Sequence, residues 1–221
     1  MEAKKVIGWI GTGVMGNPMC GHIMKKTGLR TLVFNRTKEK AASLVEAGAE
    51  YKTPKEIAAE ADYLFLMLGY PIDVETTLLG EDGLLKLMKK GSYVVDHSTS
   101  SPGLAERIHA TAKDLGIHSL DCPVSGGSFG AINGNLVVMC GGDEEAFGHA
   151  KGLMDTYGQD VRLMGGPGKG QHTKMVNQIM VGTNHIGVAE ALIYCEKTGL
   201  DKKEVTELLQ GGAAGSFALT K

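Results

Sequence analysis

Val6-Ile7-Gly8-Trp9-Ile10 runs directly into Gly11-Thr12-Gly13-Val14-Met15-Gly16. The first five residues read as a short buried strand, and the segment from about Asn17 to Thr27 reads as a helix. Between a strand and a helix, each glycine of a G-x-G-x-x-G run has a task. Gly11 permits a tight turn, Gly13 lets the backbone approach a pyrophosphate with no Cβ in the way, and Gly16 lets the helix pack close to the strand. The N–H groups of the helix start then face an anion. Glycine is abundant, at 32 of 221 residues, so a plain turn is the bland alternative. The strand–turn–helix context outweighs it and points to a dinucleotide-binding unit.

Composition narrows the class. The chain carries 23 basic and 25 acidic residues, a formal net charge of -2, which leaves no electrostatic footprint for nucleic acid. Apolar runs are broken by charge or glycine well short of the roughly 18 residues of a membrane span. Cys20, Cys122, Cys140 and Cys195 match no zinc or redox spacing and read as reduced, buried thiols of a cytoplasmic protein. Met1 to Lys5 leave no room for a leader, although a mitochondrial location follows if one was removed from a precursor.

Leu32-Val33-Phe34 reads as a second strand and ends at Asn35-Arg36-Thr37, before a helix from about Lys38 to Ala47 that Gly48 closes. The dinucleotide fingerprint places an acidic residue at the end of this strand for the adenosine ribose. Here a neutral amide, a cation and a hydroxyl stand instead, which suits a ribose 2′-phosphate and favours NADP over NAD. Arg36 stacking on adenine, or lying in solvent, is the competing reading. Pro54 to Glu60 reads as a short helix, Asp62 to Leu68 as a strand ending in the Gly69-Tyr70-Pro71 turn, and Tyr93 to Asp96 as another. His97-Ser98-Thr99-Ser100-Ser101-Pro102 leads into a helix from Gly103 to Leu115. Its hydroxyls suit helix caps, and Thr99, at a strand's carboxyl end, equally suits a cofactor contact.

Ile117 to Leu120, Leu136 to Cys140 and Val161 to Met164 complete the strands, with Gly141-Gly142 closing the second of them and Asp143 capping a helix to about Tyr157. Gly165-Gly166-Pro167-Gly168 is the clearest boundary. Gln171 to Lys197 then reads as one helix of about 40 Å at 1.5 Å per residue, and Asp201 starts another, to about Gln210. The expected architecture is α/β: a Rossmann-type, doubly wound, mostly parallel sheet over 1–166, followed over 167–221 by the start of an all-helical domain that the chain leaves truncated.

Two further clusters carry chemistry. Ser125-Gly126-Gly127 offers a hydroxyl and consecutive N–H groups to a small anion. Lys174, near the start of the long helix, shares a face with Asn177 and Gln178 at i+3 and i+4. A cation with two amides suits a polar substrate, and suits proton transfer if burial lowers the lysine pKa. A solvated surface lysine and a tight turn are the bland alternatives. His172 reads as exposed on another face and is left without a role.

Gly11-x-Gly13-x-x-Gly16, Asp121-Cys122-Pro123-Val124-Ser125-Gly126-Gly127 and Gly168-x-Gly170-Gln171-x-x-Lys174-x-x-Asn177-Gln178 occur in this order over the whole chain. Together they resemble the β-hydroxyacid dehydrogenases, especially 3-hydroxyisobutyrate dehydrogenase and its glyoxylate/succinic semialdehyde reductase relatives. The resemblance implies that Lys174 is catalytic and that Ser125, Gly126, Gly127, Asn177 and Gln178 hold a small carboxylate substrate. It implies a cofactor pocket of Gly11, Thr12, Gly13, Val14, Met15, Gly16, Asn35, Arg36, Thr37, Leu68, Gly69, Asp73 and Thr99, with no metal. Gln178 stands where many 3-hydroxyisobutyrate dehydrogenases carry Asn, as in several reductase relatives. Family members continue through further helices and form homo-oligomers, so the chain is expected to be part of a longer protein. Two other functions compete: a cofactor-binding module without turnover, and a 6-phosphogluconate-type oxidative decarboxylase. The second is disfavoured by Val176, where that relative carries His.

Overall fold

The computed structural model describes residues 5–220, and the chain divides into two compact units after Lys174. The expectations drawn from residues 1–4 and from Lys221 lie outside the described residues.

Among the described residues the first unit is built on nine strands: β1 (Val6–Ile10), β2 (Arg30–Phe34), β3 (Glu50–Tyr51), β4 (Tyr63–Leu66), β5 (Tyr93–Asp96), β6 (His118–Asp121), β7 (Val124–Ser125), β8 (Leu136–Gly142) and β9 (Gly158–Leu163). They lie in the order β3-β2-β1-β4-β5-β6-β8-β7, with β9 on β8. Pairings from β3 through β6 are parallel, β8 runs antiparallel to β6 and β7, and β9 is parallel to β8. Successive connections run outward in opposite directions from β1, to β2 on one side and β4 on the other. That reversal opens a crevice at the carboxyl ends of these strands.

The strands are apolar on both faces because helices cover both. On one face Ile7, Trp9, Val33, Phe65 and Val95 pack against Met19, Cys20 and Ile23 of α1 (Gly16–Thr27). The next residues along the same strands, Ile10, Leu32, Leu64, Leu66 and Val94, face the other way. They meet Ile57 of α3 (Pro54–Glu60), Val74 and Leu78 of α4 (Pro71–Leu79), and Leu104 and Ile108 of α5 (Pro102–Asp114). Each fully buried side chain of this size contributes on the order of 1.5–3 kcal/mol.

Several boundaries differ from expectation. The segment after β2 is a 3-10 turn, Lys38–Ala41, followed by the short α2 (Ala42–Glu46). The glycine-rich stretch after β7 goes on into a helix, α6 (Gly127–Asn133). Asp143 occupies the N-cap of α7 (Glu144–Met154) without a side-chain cap bond. Gly141-Gly142 belong to β8 rather than closing it. A Cβ on Gly141 would lie 2.6 Å from Gly170 N and 2.9 Å from Lys169 N, so its glycine marks a close approach.

α8 (Lys169–Thr198) starts in the first unit and continues into the second. In the second unit Gly199, at φ +73°, follows the end of α8, and Asp201 Oδ1 accepts from Glu204 N (2.8 Å) to cap α9 (Lys202–Gln210). Met175, Ile179, Met180, Ile186 and Leu208 are exposed there.

Candidate functional site

A cleft of about 1070 Å³ opens at the carboxyl ends of β1, β2 and β4. Gly11, Gly13, Val14, Met15, Gly16, Asn35, Arg36, Thr37, Leu68, Gly69 and Asp73 line it. The glycine loop takes its shape for steric reasons. Gly11 sits at φ +97°, and a Cβ there would collide with the Met67 carbonyl. A Cβ on Gly16 would collide with the Gly11 carbonyl, whereas one on Gly13 would meet nothing within 4 Å. Asn17 N is bonded back to Gly13 O (3.0 Å), which leaves the N–H groups of the preceding turn without helical partners. A bare backbone with unpaired donors beside open space fits a pyrophosphate.

Asn35 has a structural task inside this cleft. Its Oδ1 accepts from Thr12 N (3.0 Å) and its Nδ2 donates to Thr37 O (2.9 Å), so the amide ties the β1 loop to the β2 loop. An aspartate could accept but not donate. Arg36 and Thr37 are exposed on the rim. Lys40, which sequence reasoning missed, lines the cleft with them; it stands in the 3-10 turn that follows β2, where no helical spacing from Arg36 marks it. Among the described residues neither Arg36 nor Lys40 makes an ion pair.

Asp73 Oδ2 accepts from Tyr70 N (3.1 Å) at the start of α4, and Leu68 N donates to Ser98 Oγ (2.9 Å). Two expected contacts are not among the lining residues. Thr12 is buried behind the loop, with its Oγ1 unpartnered among the described residues, and Thr99 is exposed on its own turn. Ser101 is the cap on α5, accepting from Leu104 N (3.3 Å).

The second cluster gathers around the start of α8. Gly126 (φ +128°) and Gly127 (φ +62°) follow the half-buried Ser125 into α6. Lys174 Nζ donates to Val124 O (2.7 Å), the carbonyl just before that loop, and burial pulls the lysine pKa below its ordinary value. The helix start is pinned by Asp121, whose Oδ1 accepts from Gly168 N and Oδ2 from Gln171 N, both at 2.8 Å. Burial raises the Asp121 pKa, and these backbone donors oppose the rise. A Cβ on Gly170 would collide with the Asp121 and Met139 carbonyls, so only glycine lets α8 start this close to the sheet. Asp121 and Gln171 stood inside the quoted motifs without an assigned role, because contacts spanning 47 and 50 residues leave no periodic trace. His172 is exposed, as expected. Asn177 and Gln178 belong to the second unit, where Asn177 Nδ2 donates to Gln178 Oε1 (3.0 Å).

All four cysteines are buried and none is in a disulfide. Among the described residues no helix is long and apolar enough to cross a membrane.

Comparison with known proteins adds the following. Residues 6–166 match the family described as "NAD binding domain of 6-phosphogluconate dehydrogenase". Residues 168–221 match "NAD-binding of NADP-dependent 3-hydroxyisobutyrate dehydrogenase". The chain is 45% identical over 215 residues to "Probable 3-hydroxyisobutyrate dehydrogenase-like 1, mitochondrial" of Arabidopsis thaliana, covering 96% of this chain and 64% of that protein. It is 37% identical over 220 residues to "2-hydroxy-3-oxopropionate reductase" of Escherichia coli (strain K12), covering 96% and 73%. A solved structure, "Psf3 in complex with NADP+ and 2-OPP", superposes with a TM-score of 0.90 at 30% identity, covering 97% of this chain and 76% of that one.

Proposed function

We propose that this chain, which belongs to the β-hydroxyacid dehydrogenase family, binds NADP in preference to NAD and interconverts a small hydroxy acid with its aldehyde or keto partner. Residues 1–166 act as the dinucleotide-binding domain, and 167–221 begin a helical, substrate-side domain. The Gly11–Gly16 loop holds the pyrophosphate, Arg36, Thr37 and Lys40 hold the 2′-phosphate, and Leu68, Gly69 and Asp73 lie along the cofactor's course. Thr12 and Asn35 tie together the loops on which these contacts depend, and Thr99 remains a candidate contact at the carboxyl end of β5. The cofactor, when bound, takes up or supplies the hydride.

The observation that carries this reading is Lys174. Its ammonium is half-buried, its pKa is depressed by burial, and it is fastened to Val124 O beside Ser125-Gly126-Gly127. An ammonium has three N–H groups, and one bond to a carbonyl leaves two for substrate oxygen. In reduction Lys174 donates a proton to the substrate carbonyl oxygen, and in oxidation its neutral form takes the hydroxyl proton. Ser125, Gly126 and Gly127 hold the substrate carboxylate, and Asn177 and Gln178 orient the substrate. Glyoxylate, succinic semialdehyde and 3-hydroxyisobutyrate are the compounds to try first.

Lys174→Met keeps the side-chain length and removes the proton. Loss of a positioned acid–base group typically costs about 10²–10⁴ in rate, so kcat on glyoxylate or succinic semialdehyde should collapse while NADPH affinity holds. A mutant with near-normal turnover would remove Lys174 from the mechanism.

A further inference from the structure

Gln171 is a polar side chain only 2% exposed, and both ends of its amide are used. Nε2 donates to Ser98 O (2.8 Å), and Oε1 accepts from Ser100 N (2.8 Å). Its own backbone N–H goes to Asp121 Oδ2 (2.8 Å). The turn it grips is tied onward, because Ser98 Oγ accepts from Leu68 N (2.9 Å) and Ser98 N donates to Asp96 Oδ1 (2.9 Å). One side chain therefore joins three pieces of the first unit: the cleft wall at Leu68, the turn after β5, and the first turn of α8. Lys174 lies three residues further along that helix.

We propose that Gln171 is a positioning residue whose amide clamps the Ser98–Ser100 turn to the start of α8 and so holds Lys174 in register with the cleft. The proposal rests on the reading of Lys174 as the proton-transfer group. Such a group must be held to a fraction of an ångström, and a misplacement of about 1 Å can cost roughly 100-fold in rate. Among the described residues of the first unit, Lys174 Nζ is bonded to Val124 O. The rest of its placement comes from the backbone of α8, which Asp121 and Gln171 fix. Asp121 holds that helix start against β6, and Gln171 reaches across to the turn after β5 and, through Ser98, to Leu68. Apart from a protonated Glu, no amino acid reproduces this donor–acceptor pair at the same length. Leu and Met fill the volume without bonds, and Glu, while ionised, accepts from Ser100 but cannot donate to Ser98.

The test uses Gln171→Leu, Gln171→Glu and Lys174→Met in the full chain. Three quantities are read: hydrogen–deuterium exchange of the Ser100 amide, NADPH binding by nicotinamide fluorescence, and kcat with glyoxylate or succinic semialdehyde against pH. In Gln171→Leu, Ser100 should exchange faster and kcat should fall about 10–100-fold with NADPH affinity little changed. In Gln171→Glu the carboxyl is buried beside Asp121, which favours its neutral form. Protonated, it is shaped like the amide and donates to Ser98 O again. Its kcat relative to wild type should therefore rise as pH falls, a recovery that a merely structural role would not produce. Gln171→Leu with unaltered Ser100 exchange, or with normal kcat while Lys174→Met is dead, overturns the clamp, as does a Gln171→Glu profile parallel to wild type. Normal turnover in Lys174→Met overturns instead the reading on which the clamp rests.

Discussion

Replacing Arg36 and Lys40 tests the cofactor preference where it is most exposed to failure. Both side chains line the cleft at the end of β2 and both are solvent-exposed. A hydrogen bond to a charged group contributes about 1.5–3 kcal/mol, but exposure and salt reduce it. Taking about 1.4 kcal/mol for Arg36, Arg36→Ala should weaken NADPH binding roughly tenfold. Lys40 is a point charge on a flexible stem, and about 0.7 kcal/mol, or roughly threefold, is expected of it. The double variant should lose roughly 30-fold if the two act independently. NADH, which lacks the 2′-phosphate, should be almost unaffected. Isothermal calorimetry with both cofactors, repeated in low and high salt, measures each term, and the NADPH advantage should shrink as salt screens it. Asn35→Asp sharpens the contrast. It keeps the acceptor for Thr12 N but sets a carboxylate against Thr37 O and against the phosphate, so NADPH should weaken while NADH holds or gains. Equal affinities of the wild type for NADPH and NADH would refute the reasoning, however the variants behave.

Three further outcomes are expected. His97 is buried between Cys122 O (2.7 Å from Nδ1) and Tyr157 Oη (2.8 Å from Nε2), and burial lowers its pKa from 6.5 to about 4. The unfolded chain therefore binds a proton there before the native one does, and stability should fall from about pH 6.5 towards pH 4. In thermal melts against pH, His97→Phe should lack this loss, so its deficit against wild type narrows in acid; a constant deficit contradicts it. Asp121→Asn turns an NH₂ towards one of two backbone donors, a loss of about 1–3 kcal/mol, and an unchanged melting temperature would deny the carboxylate its role at the start of α8. Met175, Ile179, Ile186 and Leu208 of the second unit are exposed, and a second copy of the chain is expected to cover them. Sedimentation velocity showing only a compact monomer at high concentration would refute that expectation.

What was legible in the sequence depended on what each residue does to the backbone near it. Gly11 and Gly16 could be read because a Cβ at either collides with main chain, so the constraint is local and the spacing records it. β1 could be read because Val6 to Ile10 form a short apolar run directly before the glycines, as a strand covered on both faces does. The two-residue β3 is too short to show a period, and it forms because β2 offers an edge to Glu50 and Tyr51. α6 was hidden because Gly126-Gly127 read as a turn, although Gly127 opens the helix. Gly141 misled in the same way: its lack of a side chain admits the backbone of α8, a neighbour 28 residues away that no local rule reports. The clamp through Gln171 was out of reach for the same reason, since its partners lie 71 and 73 residues back.

The proposed role of Lys174 asks it to be both fixed and reactive, and the contacts around the start of α8 meet both demands. A lysine in water is charged and mobile, and a fully buried one without partners is neutral and costly. Lys174 lies between these limits. Val124 O stabilises the ammonium with one bond, while partial burial destabilises it and wins, so the pKa falls without the charge being excluded. The same carbonyl lies at the entrance to Ser125-Gly126-Gly127, so a carboxylate held by that loop, as proposed, would lie close to the Lys174 ammonium. Holding α8 by its first turn, through the Asp121 carboxylate and the Gln171 amide, keeps this balance independent of surface side chains. On the proposed role of Lys174, reactivity depends on buried hydrogen bonds, and substitutions that respect volume but not bonding should affect rate before they affect folding.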